Sequence, residues 1–163
     1  MRKAMAICLI ALMALSAAFS AQAEIGAQAP DFELATLDGG VFRLSEQRGK
    51  VVFLNIWATW CPPCVEEIPS IQKLAEAHPD DLVVIGASID EDASDVLSFI
   101  KENGIAYAVG MDENYHLASD LFPTEYIPES VFISPNGTVA DIKIGGASYE
   151  EMEQMYAAAL KGQ

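Results

Sequence analysis

The sequence predicts an α/β domain in which helices flank a central mixed β-sheet and a small β-hairpin precedes the sheet. Two apolar runs, Val51–Trp57 and 82–89, are each followed by a segment in which apolar residues recur at helical spacing. Two pairs of strand-like segments, before and after these units, surround turn signals that are typical of antiparallel hairpins. Alternating strands and helices followed by a hairpin are typical of a mixed sheet covered by helices.

The first 23 residues have the pattern of a signal peptide. Arg2 and Lys3 precede a small and apolar stretch over 4–18, and residues 21–23 match an Ala-x-Ala cleavage site. The apolar run is shorter than the about 20 residues that a membrane-spanning helix needs. We therefore expect an exported, periplasmic domain of residues 24–163. The alternative is a retained segment that anchors the domain to the outer face of the inner membrane.

The chain is strongly acidic, with a formal net charge of −15. Arg2 and Lys3 are the only charged residues in 1–23, so the predicted mature domain is still more negative. Such a surface repels a phosphate backbone, which excludes nucleic acid as a partner. The acidity favours solubility, and it leaves open an electrostatic attraction towards basic proteins.

The first half of the domain is predicted to contain a hairpin, a strand and a helix. Segments 32–36 and 41–44 flank Asp38-Gly39-Gly40, which is a hairpin signal. Val51–Trp57 is almost continuously apolar and β-prone, as expected for a central strand that is buried on both faces. Pro62–Ala77 carries apolar residues at helical spacing, which predicts a helix.

The next elements continue the alternation. Segment 82–89 is predicted to be a second buried strand. The acidic residues 90–92 open a helix that stops at Asn103-Gly104, because glycine is common just after a helix end. A short strand at 107–109 and a short helix at 113–121 are predicted to follow.

The last part of the domain contains the clearest hairpin signal. Segments 130–134 and Val139–Ile144 surround Pro135-Asn136-Gly137, a sequence that is typical of a tight turn. Ser148 and Glu151 have the spacing of a capping box, in which each residue satisfies a backbone N–H of the other. They are predicted to open the last helix.

Cys61 and Cys64 are the two cysteines of the predicted mature domain, since Cys8 falls within the signal peptide. In an exported protein such a pair normally forms a disulfide. A disulfide between positions three apart closes too short a loop to stabilise the fold much. The spacing therefore favours a redox role over a structural one.

The C-x-x-C motif is predicted at the point where the buried strand ends and the helix begins. Unpaired N–H groups and the positive end of the helix dipole favour a thiolate there, so Cys61 is the expected nucleophile and Cys64 the resolving thiol. Pro62 and Pro63 suit a first helical turn but lack an N–H, which leaves the Cys64 amide to stabilise the thiolate. We predict that this weaker stabilisation makes the pair a reductant.

A resemblance to a known family rests on these residues and on two later ones. Trp60 to Cys64 (WCPPC), Pro69 and the pair Ile127-Pro128 resemble the thioredoxin superfamily over essentially the whole predicted mature chain. Stretches 55–64 (NIWATWCPPC), 65–69 (VEEIP) and 128–137 (PESVFISPNG) are similar to exported reductases of the TlpA/ResA type, including those that serve cytochrome c maturation.

The resemblance implies a thioredoxin fold and a thiol:disulfide oxidoreductase that works through a redox-active Cys61–Cys64 disulfide without a cofactor or metal. It implies disulfide-containing exported proteins as substrates and a membrane thiol carrier as electron donor. Contact with the membrane itself is expected only if the N-terminal segment is retained as an anchor.

A proton acceptor for Cys64 is also implied. Thioredoxins have a buried Asp at the strand position occupied here by Asn55, whereas Glu67 falls on the family's acidic position three residues after the second cysteine. Glu67 is thus implied as the catalytic group that takes the proton of Cys64, with a pKa raised by burial. The alternative is a solvated glutamate favoured by the helix dipole, as expected for Glu66.

Substrate binding is implied for Trp60, Pro62, Pro63, Ile127 and Pro128. Pro128 matches the cis-proline of the superfamily, which would place the Ile127 backbone beside the disulfide for pairing with an extended substrate segment. The alternative is an ordinary loop proline. Trp60 is expected on an exposed apolar rim that receives a protein partner.

Four further residues are expected in the core or differ from the family pattern. Trp57 is expected in the core. Glu129 replaces a commoner Thr but also occurs in relatives that resemble cytochrome-maturation proteins. Phe122 and Pro123 replace a frequent Tyr-Gly, which leaves the shape of a substrate-facing loop open.

Three other functions fit parts of the sequence less well. Two thiolates can bind copper or zinc, but His78 and His116 lie far from the motif and are expected at the surface, which leaves a zinc site incomplete. The lead A-P-D-F at 29–32 is shared with peroxiredoxins, whose lone cysteine preceded by Thr and Pro is missing. A noncatalytic chaperone or adaptor would not need the intact C-x-x-C.

Overall fold

The structure is a computed structural model that describes residues 22–162. The predicted signal peptide, and Cys8 with it, lies outside the described residues apart from Gln22 and Ala23. Cleavage or anchoring of that segment therefore stays a prediction. Between residues 22 and 162, no helix combines the length and the apolar composition needed to cross a membrane.

Strands and helices alternate along the described chain. In order they are β1 (Glu33–Ala35), β2 (Val41–Arg43), β3 (Val51–Trp57), α1 (Pro62–Ala77), β4 (Leu82–Ser88), α2 (Ala93–Asn103), β5 (Ala108–Met111), β6 (Glu129–Ile133), β7 (Val139–Ile144) and α3 (Tyr149–Lys161). A 3-10 turn at Leu44–Gln47 follows β2.

The strands form one mixed sheet and one separate hairpin. The five-stranded sheet has the order β5-β4-β3-β6-β7, with β3, β4 and β5 parallel and β6 and β7 antiparallel to their neighbours. β1 and β2 pair antiparallel as the N-terminal hairpin. The predicted fold class is therefore confirmed, including its hairpin extension.

The central strand β3 separates two apolar layers, because successive side chains of a strand point to opposite faces. Val51 and Phe53 pack with residues of α1 and α3, and Phe53 stacks on its cross-strand partner Phe132 at 4.4 Å between ring centroids. Val52, Leu54 and Ile56 pack on the other face with the N-terminal hairpin and residues 117–122. The sheet is buried on both faces, which holds the end of β3 rigidly beneath the cysteines.

The segment predicted as a short helix at 113–121 is not one continuous helix. A 3-10 turn at Glu113–Tyr115 precedes a π-helical turn at His116–Leu121, and the last two residues of the 3-10 turn, Asn114 and Tyr115, have positive φ angles of 58° and 56°. Left-handed backbone is unfavourable for such residues. It is compensated here because the buried Asp112 carboxylate accepts the N–H groups of Leu117 and Ala118.

Smaller differences concern the edges and one histidine. The strand predicted at 107–109 is shifted to β5 at Ala108–Met111. His116 is exposed, as expected, whereas His78 is half-buried: its ring stacks on Tyr156 and its Nε2 lies 3.1 Å from Oε1 of Glu153. His78 thereby joins the end of α1 to α3.

Candidate active site

The two cysteines lie at the start of α1, just beyond the carboxyl end of β3. Cys61 is the N-cap residue, Pro62 and Pro63 occupy the first two helical positions, and Cys64 is the third. Proline fits there because its φ is preset for a helix and its missing N–H has no intrahelical partner to lose. The cysteines form a disulfide with a Cα–Cα distance of 5.3 Å.

The two sulfur atoms have different surroundings. Cys61 Sγ accepts the N–H of Cys64 at 3.3 Å, and the Ile127 carbonyl oxygen lies 3.7 Å away. Cys61 is 5% exposed and lines a surface groove, whereas Cys64 is 1% exposed and does not line it. An incoming sulfur can therefore approach Cys61, and Cys64 is shielded until Cys61 has reacted.

Glu67 is buried one turn after Cys64. Its Oε1 accepts a hydrogen bond from Asn55 Nδ2 and its Oε2 one from the Ala147 N–H, both at 2.9 Å. Burial raises the pKa of Glu67 to about 7, against the opposing effects of Ala147, Asn55 and the positive charge of Lys143. A carboxyl with this pKa can both accept and release a proton near neutral pH.

The position of Glu67 suits proton transfer from Cys64. Residues three apart on a helix lie on the same side, and Glu67 also lines a surface cavity of about 320 Å³ next to Pro63 and Gly146. Glu67 therefore lies on the same side of α1 as Cys64 and beside an opening to solvent. Glu66, by contrast, is exposed, so the solvated alternative describes Glu66 and is wrong for Glu67.

A groove of about 470 Å³ opens beside Cys61. Of the predicted substrate-binding residues, Trp60, Pro62, Pro63 and Ile127 line it. The aromatic side chains on its rim are largely exposed: Trp60 by 64%, Tyr126 by 69% and Tyr115 by 47%. Exposed aromatic surface beside a reactive sulfur is suited to binding a polypeptide.

Several groove residues were not predicted from the sequence. They come from segments distant from the cysteines, which only the fold brings together: Ile89, Tyr115, Ala118, Ser119, Thr124, Glu125 and Tyr126. Of these residues, Tyr126 could have been found from the sequence, since it directly precedes the Ile127-Pro128 pair.

The peptide bond between Ile127 and Pro128 is cis, as expected, and the alternative of an ordinary loop proline is wrong. Pro128 is buried and does not itself line the groove. The Ile127 carbonyl oxygen, just before Pro128, lies 3.7 Å from Cys61 Sγ.

Three residues discussed with the motif are buried: Trp57, Phe122 and Glu129. Trp57 is fully buried, as predicted. Phe122 is also buried, with its ring edge-on to Phe32, so it belongs to the core and not to a substrate-facing loop. Glu129 is 2% exposed at the start of β6, and burial raises its pKa to about 7 against the effect of Thr124.

In the described part of the chain, residues 22–162, no group of three or more His, Cys, Asp or Glu side chains is placed to hold a metal ion.

Comparison with known proteins agrees with this geometry. The sequence matches the family described as Redoxin over residues 24–160. It is 35% identical over 137 residues to the thioredoxin-like protein YneN of Bacillus subtilis, covering 79% of this chain and 76% of YneN. It is 35% identical over 134 residues to the thiol-disulfide oxidoreductase ResA of Oceanobacillus iheyensis, covering 79% of this chain and 69% of ResA.

A solved structure shows the same architecture. The thiol:disulfide interchange protein of the thioredoxin family from Chlorobium tepidum TLS matches with a TM-score of 0.74 and 28% sequence identity, covering 86% of this chain and 99% of that one.

Proposed function

The chain belongs to the Redoxin family and is a thiol:disulfide oxidoreductase with a thioredoxin fold, and from this premise we propose that its Cys61–Cys64 pair reduces disulfides of exported proteins. The observation that supports reduction over oxidation is at the start of α1, where Cys61 Sγ receives a single backbone N–H, from Cys64. Fewer donors stabilise the Cys61 thiolate less, and a less stabilised dithiol is the stronger reductant.

The proposed reaction begins with the reduced pair. The Cys61 thiolate attacks one sulfur of the substrate disulfide and forms a mixed disulfide, while the other substrate sulfur leaves as a thiolate and takes a proton from water. Cys64 then gives its proton to the Glu67 carboxylate and attacks Cys61 Sγ. The second substrate sulfur is released, the Cys61–Cys64 disulfide is formed, and two electrons have passed to the substrate.

The groove suggests how a substrate is held. The Ile127 carbonyl beside Cys61 can accept a backbone N–H from an extended substrate segment. Trp60 and Tyr126 supply exposed aromatic surface in the same groove. We propose that Trp60, Pro62, Pro63 and Ile127 contact the polypeptide that flanks the substrate disulfide, and that Pro128 fixes the Ile127 backbone.

The cellular setting is also a proposal. The pattern of residues 1–23 supports export, with a cleaved signal peptide or an N-terminal anchor. A reductant outside the cytoplasm needs a source of electrons, and we propose a membrane thiol carrier for this role. The resemblance to reductases of cytochrome c maturation makes apocytochrome c one candidate among the disulfide-containing substrates.

The reduction potential of the Cys61–Cys64 couple, measured against glutathione, tests the direction. Thioredoxin-fold couples range from about −270 mV for reductants to about −120 mV for oxidants. We expect a value near the reducing end. A value near the oxidising end would contradict the proposal that the protein is a reductant.

A pair of proline variants tests the cause. An N-cap side chain accepts the N–H of the second or third helical residue, and Pro63 is the second. Pro63→Ala therefore adds a donor for Cys61 Sγ, which should lower the pKa of Cys61 and make the potential less negative. Pro62→Ala adds an N–H at the first helical position, which an N-cap side chain does not normally bind, and serves as the matched control. Equal effects of the two substitutions would contradict the explanation.

A further inference from the structure

A second cavity adjoins the groove beside Cys61. It has a volume of about 470 Å³ and lies between the residues that follow β4 and those at the end of β5. Ile89 and Tyr115 line both the cavity and the groove, so the two openings meet at these side chains. A polypeptide that is bound in the groove next to Cys61 can therefore extend over the cavity.

Among the described residues, every charged side chain that lines either opening is acidic. Glu125 lines the groove, and four carboxylates line the cavity: Asp90, Glu91, Asp112 and Glu113. Asp90 and Asp112 accept hydrogen bonds from neighbouring protein groups. Glu91, Glu113 and Glu125 are exposed and have no ion-pair partner in the part of the chain that the structure describes. This negative surface favours lysine or arginine in a bound polypeptide and disfavours acidic residues.

Tyr115 lies at the junction of the two openings in an unusual backbone conformation. Its φ of 56° and ψ of 32° are in the left-handed region, which is unfavourable for tyrosine. The Tyr115 N–H donates to the Asp112 carbonyl oxygen at 3.1 Å, and the Asp112 carboxylate accepts the N–H groups of Leu117 and Ala118. These bonds hold the backbone on both sides of Tyr115, while its side chain is exposed. Left-handed backbone at such residues is concentrated at functional sites.

We propose that the polypeptide bound beside Cys61 carries a lysine or arginine next to its disulfide, and that Tyr115 is the specificity-determining residue that contacts this side chain. The inference rests on the proposed function, in which the groove receives the substrate polypeptide. An aromatic face attracts a cation, and the aliphatic part of a lysine or arginine side chain packs on apolar surface. The charged end of the side chain can then face the carboxylates of the adjoining cavity.

Two synthetic peptides, each with one internal disulfide, test the proposal. They are identical except for lysine or glutamate on both sides of the disulfide, and the reduced intact protein is the reductant. We expect the second-order rate constant of reduction to be about five- to tenfold higher for the lysine peptide. The rate of each peptide with dithiothreitol corrects for the intrinsic reactivity of its disulfide.

Variants separate the local carboxylates from the net charge of the protein. Glu91→Gln combined with Glu113→Gln should lower the ratio of the two rate constants to about threefold or less. Glu76→Gln combined with Glu102→Gln removes the same charge from exposed positions outside both openings, and this matched control should keep the wild-type ratio. Tyr115→Gly removes the ring but suits the left-handed backbone, and it should lower the ratio by about two- to fivefold.

Three results would overturn the proposal. The first is a ratio near one in the wild-type protein. The second is an equal ratio in the two double variants, which would show attraction by net charge alone. The third is a wild-type ratio in Tyr115→Gly, which would leave the ring without a part in selectivity.

The proposed function fails by a different result. If the reduced protein reduces neither peptide faster than the Cys61→Ser variant does, it is not a reductant of polypeptide disulfides. Equal and fast reduction of both peptides would leave the proposed function intact and overturn the selectivity alone.

Discussion

The helices α1 and α3 begin with the same hydrogen bond but are used differently. Each N-cap side chain accepts the N–H of the third helical residue: Cys61 Sγ that of Cys64 at 3.3 Å, and Ser148 Oγ that of Glu151 at 3.2 Å. At α3 the cap is reciprocal, because Glu151 also accepts the Ser148 N–H. At the start of α3, the side chains of Ser148 and Glu151 each accept the other residue's backbone N–H. At the start of α1, the backbone N–H of Cys64 donates to the sulfur of Cys61.

A glutamate in the first two turns of each helix differs in burial and in pKa: Glu151 in the first turn of α3, and Glu67 in the second turn of α1. Glu151 is exposed, and its pKa is lowered by the Ser148 N–H and by Lys143. Glu67 is buried, and burial raises its pKa to about 7. The two starts meet where the N–H of Ala147, just before Ser148, donates to Glu67 Oε2. The exposed Glu151 stabilises the start of α3, whereas the buried Glu67 carboxyl, one turn further into its helix, is destabilised in its charged form and can exchange a proton near pH 7.

The largest effect is expected from the sulfur atoms. Cys61→Ser should reduce turnover of a disulfide-containing protein to the uncatalysed background, because a hydroxyl cannot form the mixed disulfide. Cys64→Ser should instead trap the mixed disulfide on Cys61, which mass spectrometry detects. Ser148→Ala, the change at the equivalent position of α3, should leave turnover unaltered. Appreciable turnover in either cysteine variant would contradict the proposed reaction.

The next largest effect is expected at Glu67. Glu67→Gln keeps the size of the side chain but removes the proton acceptor, so the attack of Cys64 on a mixed disulfide at pH 7 should slow by about 10²- to 10⁴-fold. Stopped-flow measurement on a preformed mixed disulfide follows the attack of Cys64 alone, without the earlier attack of Cys61 on the substrate. Glu66→Gln is the matched control and should have the wild-type rate. Equal rates in the two variants would show that burial of Glu67 has no catalytic consequence.

Glu67 should also shape the pH dependence of stability. Its folded pKa of about 7 lies above the ordinary 4.5, so the folded state holds the proton more tightly between these values. The free energy of unfolding should then fall as pH rises from about 4.5 to about 7, by on the order of 2 to 3 kcal/mol from this group.

Urea denaturation of the oxidised protein across this pH range measures the effect. Glu67→Gln should flatten the fall in stability, whereas Glu66→Gln should not change it. Some fall should remain in the Glu67→Gln variant because burial also raises the pKa of Glu129 to about 7. Parallel curves for wild type and Glu67→Gln would contradict a buried Glu67 that titrates near neutrality.

The smallest effect is expected from the cap of α3. Ser148→Ala removes the side-chain acceptor for Glu151 N–H and should lower the free energy of unfolding by about 1 kcal/mol. Chemical denaturation measures this loss. The reduction potential of the cysteine pair should stay at the wild-type value, since the cap of α3 has no part in the exchange. A shifted potential would show that the two helix starts are coupled through Ala147.

Much of the fold could be predicted because the decisive signals are local. The continuous apolar run of β3, the turn at residues 135–137 and the capping box at Ser148 each determine their own element. The segment 113–121 is helical in two turns and not in one continuous helix: the backbone is left-handed at Asn114 and Tyr115, and the Asp112 carboxylate accepts the N–H groups of Leu117 and Ala118. No periodicity of apolar residues carries that information.

The sequence by itself determined the redox pair, because disulfide exchange at this site depends on two cysteines three positions apart within the short segment 61–64. It also pointed to Glu67 and to the cis bond before Pro128 through a family pattern. Only the tertiary structure decided that Glu67 is buried against Asn55 and Ala147, and that Trp60 and Tyr126 line one groove beside Cys61. The physical reason is that burial and a shifted pKa are properties of surroundings, which come from segments up to 80 residues apart.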